Sequence, residues 1–331
     1  MKTKPLICGI LLAAGQPLWA ALPSGYVVGW GADICGTVTG VPHYAHTNGV
    51  VCIAGQPITN AVAVAAGYQH GLALRSDGTV VGWGLNSSAQ ATGTRSTIPD
   101  TTNGVVAIDG RALDGIVEIA AGWGYSLGVR SNGTVVDWGR DNIGAKKDMP
   151  AGLNNVVSVA AGMIHSVALK NDGTVVGWPE SREPAGLTNT VAIAADREGF
   201  GGVLALKRDG TVVTWNVRGI RDFQQEKGVS NAVAIAIGGW QELALMKDGT
   251  VTCIGNQKQL PAGLSNIVAI AVGQHHSLAL KGDGTVQAWG QIDSPVSRVP
   301  EGLSNVVAIA AGDEFSLALT TNRAVAEKFR H

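Results

Sequence analysis

Short runs of small and β-branched residues recur along this chain with fixed punctuation. A run close to Val-Ala-Ile-Ala-Ala-Gly, a few variable residues and then His-Ser-Leu-Ala-Leu occupies 62–74, 117–129, 157–169, 191–206, 233–245, 268–280 and 307–319. Asp-Gly-Thr-Val or a near variant begins at Asp77, Asn132, Asp172, Asp209, Asp248 and Asp283. Each copy leads into a third run that ends at Trp83, Trp138, Trp178, Trp215 or Trp289, with Ile254 in the fifth. Alternation in the second run has the period of a strand. Asp-Gly or Asn-Gly between two such runs is a hairpin signal, because Gly accepts a positive φ. Each unit therefore predicts three antiparallel strands. Three strands cannot bury both their faces alone, so the sheets must stack. Radial stacking gives an all-β, seven-bladed β-propeller with mostly three-stranded blades.

The ends of the chain say how the ring closes. The last copy is followed by Thr320-Thr-Asn-Arg-Ala-Val, which does not match a Trp strand. A spare Trp strand, Gly25-Tyr-Val-Val-Gly-Trp-Gly31, stands near the start. Pairing of 24–31 with the sheet formed by 305–319 explains both facts. The propeller is expected over 21–319 and a C-terminal tail over 320–331. Two longer units carry inserts, 32–60 and 85–115, each with a degenerate first strand: Gly49-Val-Val-Cys-Ile-Ala-Gly55 and Gly104-Val-Val-Ala-Ile-Asp-Gly110. These read as extra outer strands. Ala and Gly suit the crowded axis, and each Trp can fill the wider gap between blades, where burial stabilises by roughly 3–5 kcal/mol against Ala.

Composition narrows the function classes. The chain has 331 residues, 45% hydrophobic and 15% charged, too apolar for a disordered chain. Lys+Arg at 24 against Asp+Glu at 25 leaves no basic excess for nucleic acid. Residues 1–20 read as a secretory signal: Lys2 and Lys4, an apolar run from Leu6 to Ala14, then Pro17 and small residues at Ala20 and Ala21. That run is too short to span a bilayer. The expected location is secreted or periplasmic, and no membrane span is expected. In an oxidising compartment Cys35 and Cys52 are a candidate disulfide. Cys253 then reads as a buried thiol in a strand.

The unit Val-Val-Ala-Ile-Ala-Ala-Gly…His-Ser-Leu-Ala-Leu…Asp-Gly-Thr-Val…Gly-Trp-Gly resembles the RCC1-type repeat. Gly84-Leu-Asn-Ser-Ser-Ala-Gln-Ala-Thr-Gly93 is similar to that family's linking segment. The short units and the signal are most similar to the branch of secreted bacterial β-lactamase inhibitory proteins. The resemblance implies a binding platform, with contacts from the loops after Ala-Ala-Gly. It also implies anchors that are often aromatic at mid-loop. Here the mid-loop residues are Gln69, Gly124, Ile164, Trp240, His275 and Glu314, so only Trp240 matches that pattern well.

The residues support the same rim independently. Seven loops at equivalent positions converge on one mouth, and the frame around them repeats while they vary. Three residues per loop give about 21 side chains, near the roughly 20–30 per side of a standard interface. The candidate partner-binding residues are Tyr68, Gln69, Trp123, Met163, Ile164, Arg197, Glu198, Trp240, Gln274, His275, Asp313 and Glu314. The expected partner is a protein, taken up by a monomer, and inhibition of an enzyme is one version. Alternatives are an enzyme or a carbohydrate- or metal-binding protein using His and carboxylate groups at the mouth, and a structural envelope protein.

Chemistry of its own is hard to find. No nucleophile elbow, His-Glu-x-x-His, Cys-x-x-Cys or P-loop occurs. His70, His165 and His276 share one repeat position, but so do Tyr125, Phe200 and Phe315. A position that takes all three ring types reads as a packing slot. His43 and His46 near the cysteines read as loop residues. No catalytic residue, metal ligand or cofactor is assigned.

Overall fold

The computed structural model describes residues 24–33, 35–41, 46–94, 103–139, 149–179, 187–197, 201–217, 224–225, 229–239, 241–254, 260–290 and 295–329. The expected signal at 1–20 lies outside them. Seven sheets of three or four strands are formed among these residues, together with two small ribbons. The inner strands are Ala61–Ala66, Ile116–Ala121, Val156–Ala161, Thr190–Ala195, Ala232–Ile237, Ile267–Val272 and Val306–Ala311. The middle strands are His70–Arg75, Tyr125–Arg130, Ser166–Lys170, Gly202–Lys207, Glu242–Met246, His276–Lys281 and Phe315–Thr320. Outer strands are Val80–Gly84, Val135–Gly139, Val175–Trp178, Val212–Asn216, Val251–Cys253 and Val286–Gly290, with Tyr26–Ala32 serving the last sheet. We number the sheets one to seven by their inner strands. Each packs on the next, and the seventh packs on the first.

The N-terminal strand closes the ring as expected. Tyr26–Ala32 runs antiparallel to Phe315–Thr320, with Tyr26 opposite Thr320 and Trp30 opposite Ser316. The two inserts do add outer strands, each antiparallel to the outer strand before it. His46–Val50 pairs with Tyr26–Ala32, and Gly104–Val105 pairs with Val80–Gly84. Each is followed by a ribbon, Cys52–Ile53 with Gln56–Pro57 and Ala107–Ile108 with Arg111–Ala112. The segment after Thr320 forms a helix, Arg323–Lys328, capped by the Asn322 side chain on the N–H groups of Ala324 and Val325. Val325, Ala326 and Phe329 are buried against the closing sheet, and the Phe329 carbonyl accepts the Val50 N–H at 3.1 Å. This helix is short; none among the described residues is long and apolar enough to cross a membrane.

Residue choice accounts for the sheets. Trp30, Trp83, Trp138, Trp178, Trp215 and Trp289 are all buried, as a packing role requires. Their ladder partners are small: Gly71 opposite Trp83, Ser126 opposite Trp138, Ser166 opposite Trp178, Val203 opposite Trp215 and Ser277 opposite Trp289. A Cβ on Gly71 would run into the Trp83 indole, so the glycine makes room for the ring. Ile254 is buried and its N–H donates to the Glu242 carbonyl, which puts it at the Trp place of the fifth sheet. Every inner strand skips one residue of register after its first position, as between Ala61 and Ala63. The skipped residue is Val62, Val117, Val157, Val191, Val233, Val268 or Val307, a bulge that sharpens the local twist.

The Asp-Gly-Thr turns stitch neighbours together. In the first, the Gly78 N–H donates to the Arg75 carbonyl with φ at +80°. Oδ1 of Asp77 accepts from the N–H of Thr79 at 2.9 Å and its hydroxyl at 2.6 Å. The turn's glycine carbonyl then accepts an N–H from the next inner strand: Ile116 to Gly78, Val156 to Gly133, Thr190 to Gly173, Ala232 to Gly210, Ile267 to Gly249 and Val306 to Gly284.

Candidate functional site

At the opposite end of the ring lie the loops after the inner strands. Their first residues also bond to the next sheet. The N–H groups of Tyr68, Trp123 and Gln274 donate to the carbonyls of Gly122, Gly162 and Gly312 at 3.1, 3.4 and 3.2 Å, and Met163 donates to Asp196 at 3.2 Å. The loops are thus laced side by side around one mouth, and their side chains share one face. Tyr68, Gln69, Trp123, Met163, Ile164, Arg197, Gln274 and His275 are half-buried, Glu314 is exposed and Asp313 is buried. Glu198 and Trp240 lie outside the described residues.

Two local arrangements stand out on this face. The rings of Tyr68 and Trp123, from neighbouring sheets, meet with centroids 5.1 Å apart and planes tilted by 36°. Beside them, a cleft at the seam between the seventh and first sheets is lined by Cys35, Thr37, Tyr68, Gln69, Asp313 and Glu314, among others. Cys35 and Cys52 are not joined to each other in this structure. The Cys35 thiol donates instead to Oε1 of Gln69 at 3.9 Å, while the Cys52 N–H donates to the Thr39 carbonyl.

The ring slot sits below the rim. His70, Tyr125, His165, His276 and Phe315 are buried there, each against the glycine of its own Ala-Ala-Gly. A Cβ on Gly67, Gly122, Gly162, Gly273 or Gly312 would collide with the ring, which is why the run ends in glycine. Slot residues also reach the following sheet. Nε2 of His70 lies 2.9 Å from the Ser126 hydroxyl, Nε2 of His276 lies 2.7 Å from that of Ser316, and the Ser166 hydroxyl donates to the Tyr125 hydroxyl at 3.0 Å. Ser126 donates its proton to the Gln90 carbonyl at 2.8 Å, so it accepts from His70, whose Nε2 carries the hydrogen. Burial first, then the Arg197 charge, pushes His70 down to about 3. Burial, Arg197 and His275 do the same to His276, also to about 3. Both rings are neutral at physiological pH and are committed to interfaces between sheets.

Three further residues belong to no recurring motif. Gln241 fills the slot of the fifth sheet: its Oε1 accepts from the Ser277 hydroxyl at 2.9 Å and Trp289 Nε1 at 3.1 Å. The signal was its alignment with His276. Glu118 is the one charged residue in the seven inner strands, a visible anomaly. Its Oε1 accepts from the Ser158 hydroxyl at 2.7 Å and the Val159 N–H at 3.3 Å, and burial raises its carboxyl to about 7. Ser158 is its partner and stands at the same strand position one sheet on, where the other five sheets have alanine: Ala63, Ala192, Ala234, Ala269 and Ala308.

Arg197 behaves unlike the other rim residues. Its guanidinium crosses the mouth from the fourth sheet and donates to the carbonyls of Ala66, Val272 and Ala311, in the first, sixth and seventh sheets. The expected partner contact at Arg197 is thus engaged inside the molecule, because open inner-strand carbonyls at the axis need a donor.

Known proteins support the same architecture. The Regulator of chromosome condensation (RCC1) repeat model matches residues 61–90 and 267–291. No curated protein matches in sequence. Prp20p from Saccharomyces cerevisiae superposes with a TM-score of 0.71 at 18% identity, over 98% of each chain. Human WBSCR16 superposes at 0.67 with 17% identity, over 89% of this chain and 100% of its own. The ectodomain of the Arabidopsis thaliana receptor kinase ACR4 gives 0.52 at 20% identity, over 78% and 91%. A repeat recognised by that model, an almost wholly β architecture and sheets closed into a ring by the N-terminal strand together make this chain an RCC1-like repeat β-propeller.

Proposed function

We propose that the chain is a secreted or periplasmic binding module that docks a protein through the loops after Ala-Ala-Gly. The observation that carries the reading is the Tyr68–Trp123 pair, two half-buried aromatic rings in contact at a laced rim. Aromatic side chains with one face open are the commonest anchors of protein interfaces. Fold relatives point the same way: Prp20p is described with binding properties toward Gsp1p and histones, and bound to Kap60. The near-neutral charge of this chain favours a protein over nucleic acid. An extracellular enzyme held inactive by such docking is one form the partnership can take.

The reading is tested by affinity capture. Mature chain and a Tyr68→Ala/Trp123→Ala double variant are each immobilised and exposed to culture fluid or periplasmic extract, and retained proteins are identified by mass spectrometry. A protein retained by the first and lost by the second, with melting of the variant unchanged, supports it. A retained protein indifferent to both substitutions places docking elsewhere and overturns it.

A further inference from the structure

We infer that the rim end of the ring axis is a cation site built from backbone carbonyls, which takes a planar guanidinium and which the chain fills with its own Arg197. Each inner strand stands at the edge of its sheet, so one row of its backbone groups has no ladder partner and faces the axis. Around a ring, such carbonyls present several negative dipole ends to one small volume. Ala66, Val272 and Ala311 are the last residues of their strands, at the same repeat position in three consecutive sheets. All three accept from the one guanidinium. That group has five N–H donors in a flat fork, which a single ammonium cannot match.

The side chain that delivers it comes from far across the ring. Arg197 follows Asp196, which stands where most other sheets have the glycine of Ala-Ala-Gly. Asp196 also accepts the Met163 N–H through its carbonyl, so the backbone beside Arg197 is tied to the third sheet. One residue thereby bridges the fourth sheet to the first, sixth and seventh. The effect of Arg197 on both His70 and His276 places the same charge near two separate slots. The inference does not depend on the rim docking a protein.

The test is chemical rescue. Thermal melting is followed for the full chain and for Arg197→Ala, each titrated with low-millimolar guanidinium chloride, and with sodium chloride and urea at matching concentrations. The expected result is a lower Tm for Arg197→Ala and a saturable recovery of at least half the loss with guanidinium only, as a ligand binding the native state requires. The unaltered chain should show no such gain. If Arg197→Ala does not fold, Arg197→Gln keeps a donor without the charge and carries the same titration. Melting of the variant at the original Tm overturns the inference, and so does a guanidinium response identical in variant and original chain.

Discussion

Gly25 and Ala61 exchange two backbone hydrogen bonds, Gly25 N–H to the Ala61 carbonyl at 2.9 Å and Ala61 N–H to the Gly25 carbonyl at 3.2 Å. Everywhere else around the ring the first inner-strand N–H is received by the glycine of an Asp-Gly-Thr turn. The seventh sheet has no such turn, since its middle strand ends at Thr320 and its outer strand comes from the other end of the chain. Gly25 supplies the missing carbonyl. A Cβ there would meet the Thr320 carbonyl, so the place demands glycine. Gly25→Val should cost about 1–3 kcal/mol, the usual range for overpacking, read as a lower midpoint in urea with the slope unchanged.

The slot histidines give the fold an acid limit. Folded His70 and His276 hold no proton until about pH 3, whereas the unfolded rings take one up near 6.5. The unfolded state therefore binds more protons between those values. Stability that is complete above pH 6.5 falls as pH drops toward 3, with a limiting slope of about 1.4 kcal/mol per pH unit for each ring. The fifth sheet shows that Gln fits the slot, so His70→Gln should fold and flatten part of that slope. Urea midpoints measured from pH 7 to pH 4 check this; parallel curves for both proteins would contradict it.

Glu118 acts in the opposite direction. Its folded carboxyl keeps a proton up to about pH 7, while the unfolded one releases it near 4.5. The native state binds the extra proton in that window, so this contribution is lost as pH rises through it. Glu118→Gln keeps an acceptor for Ser158 without a charge to bury. We expect the variant to gain stability at pH 8 relative to the original chain and to differ little at pH 4.5, measured by denaturant midpoint at both pH values.

The buried indoles are the glue between sheets. Trp83 is fully buried and its Nε1 donates to the Thr37 carbonyl at 2.9 Å, tying the first sheet to the first insert. Trp30 does the same with Val296 at 3.1 Å. Trp83→Ala should lose about 3–5 kcal/mol. Trp178→Ala should lose a similar amount through packing. Equilibrium unfolding of both variants decides whether these rings are structural.

Much of this fold is written in repeated local chemistry. Asp-Gly-Thr or Asn-Gly-Thr marks the turn into six outer strands, Trp marks every outer strand except that of the fifth sheet, and the absence of a Trp strand after Thr320 foretells the closure by Tyr26–Ala32. The bulges are marked only by a valine at the second place of every inner strand, preceded by Val or Ile in four of them, and a valine there is equally at home in a regular strand. The helix at Arg323–Lys328 is invisible in the sequence, since six residues carry too little periodicity to show. At the site, the slot was legible because His, Tyr and Phe alternate there, and Gln241 could have been added by alignment. Arg197 reads as a rim contact in the sequence, since nothing local in its neighbours tells which way a long side chain turns. Its partners lie 75 to 131 residues away.

The central claim is that the N-terminal strand completes a ring on which every other sheet depends. The most direct measurement compares the melting of the chain from residue 24 onward with that of one beginning at residue 33, then adds a synthetic peptide of residues 24–32. The account predicts a marked fall in Tm and its partial recovery with the peptide. An unchanged Tm after the deletion would contradict it.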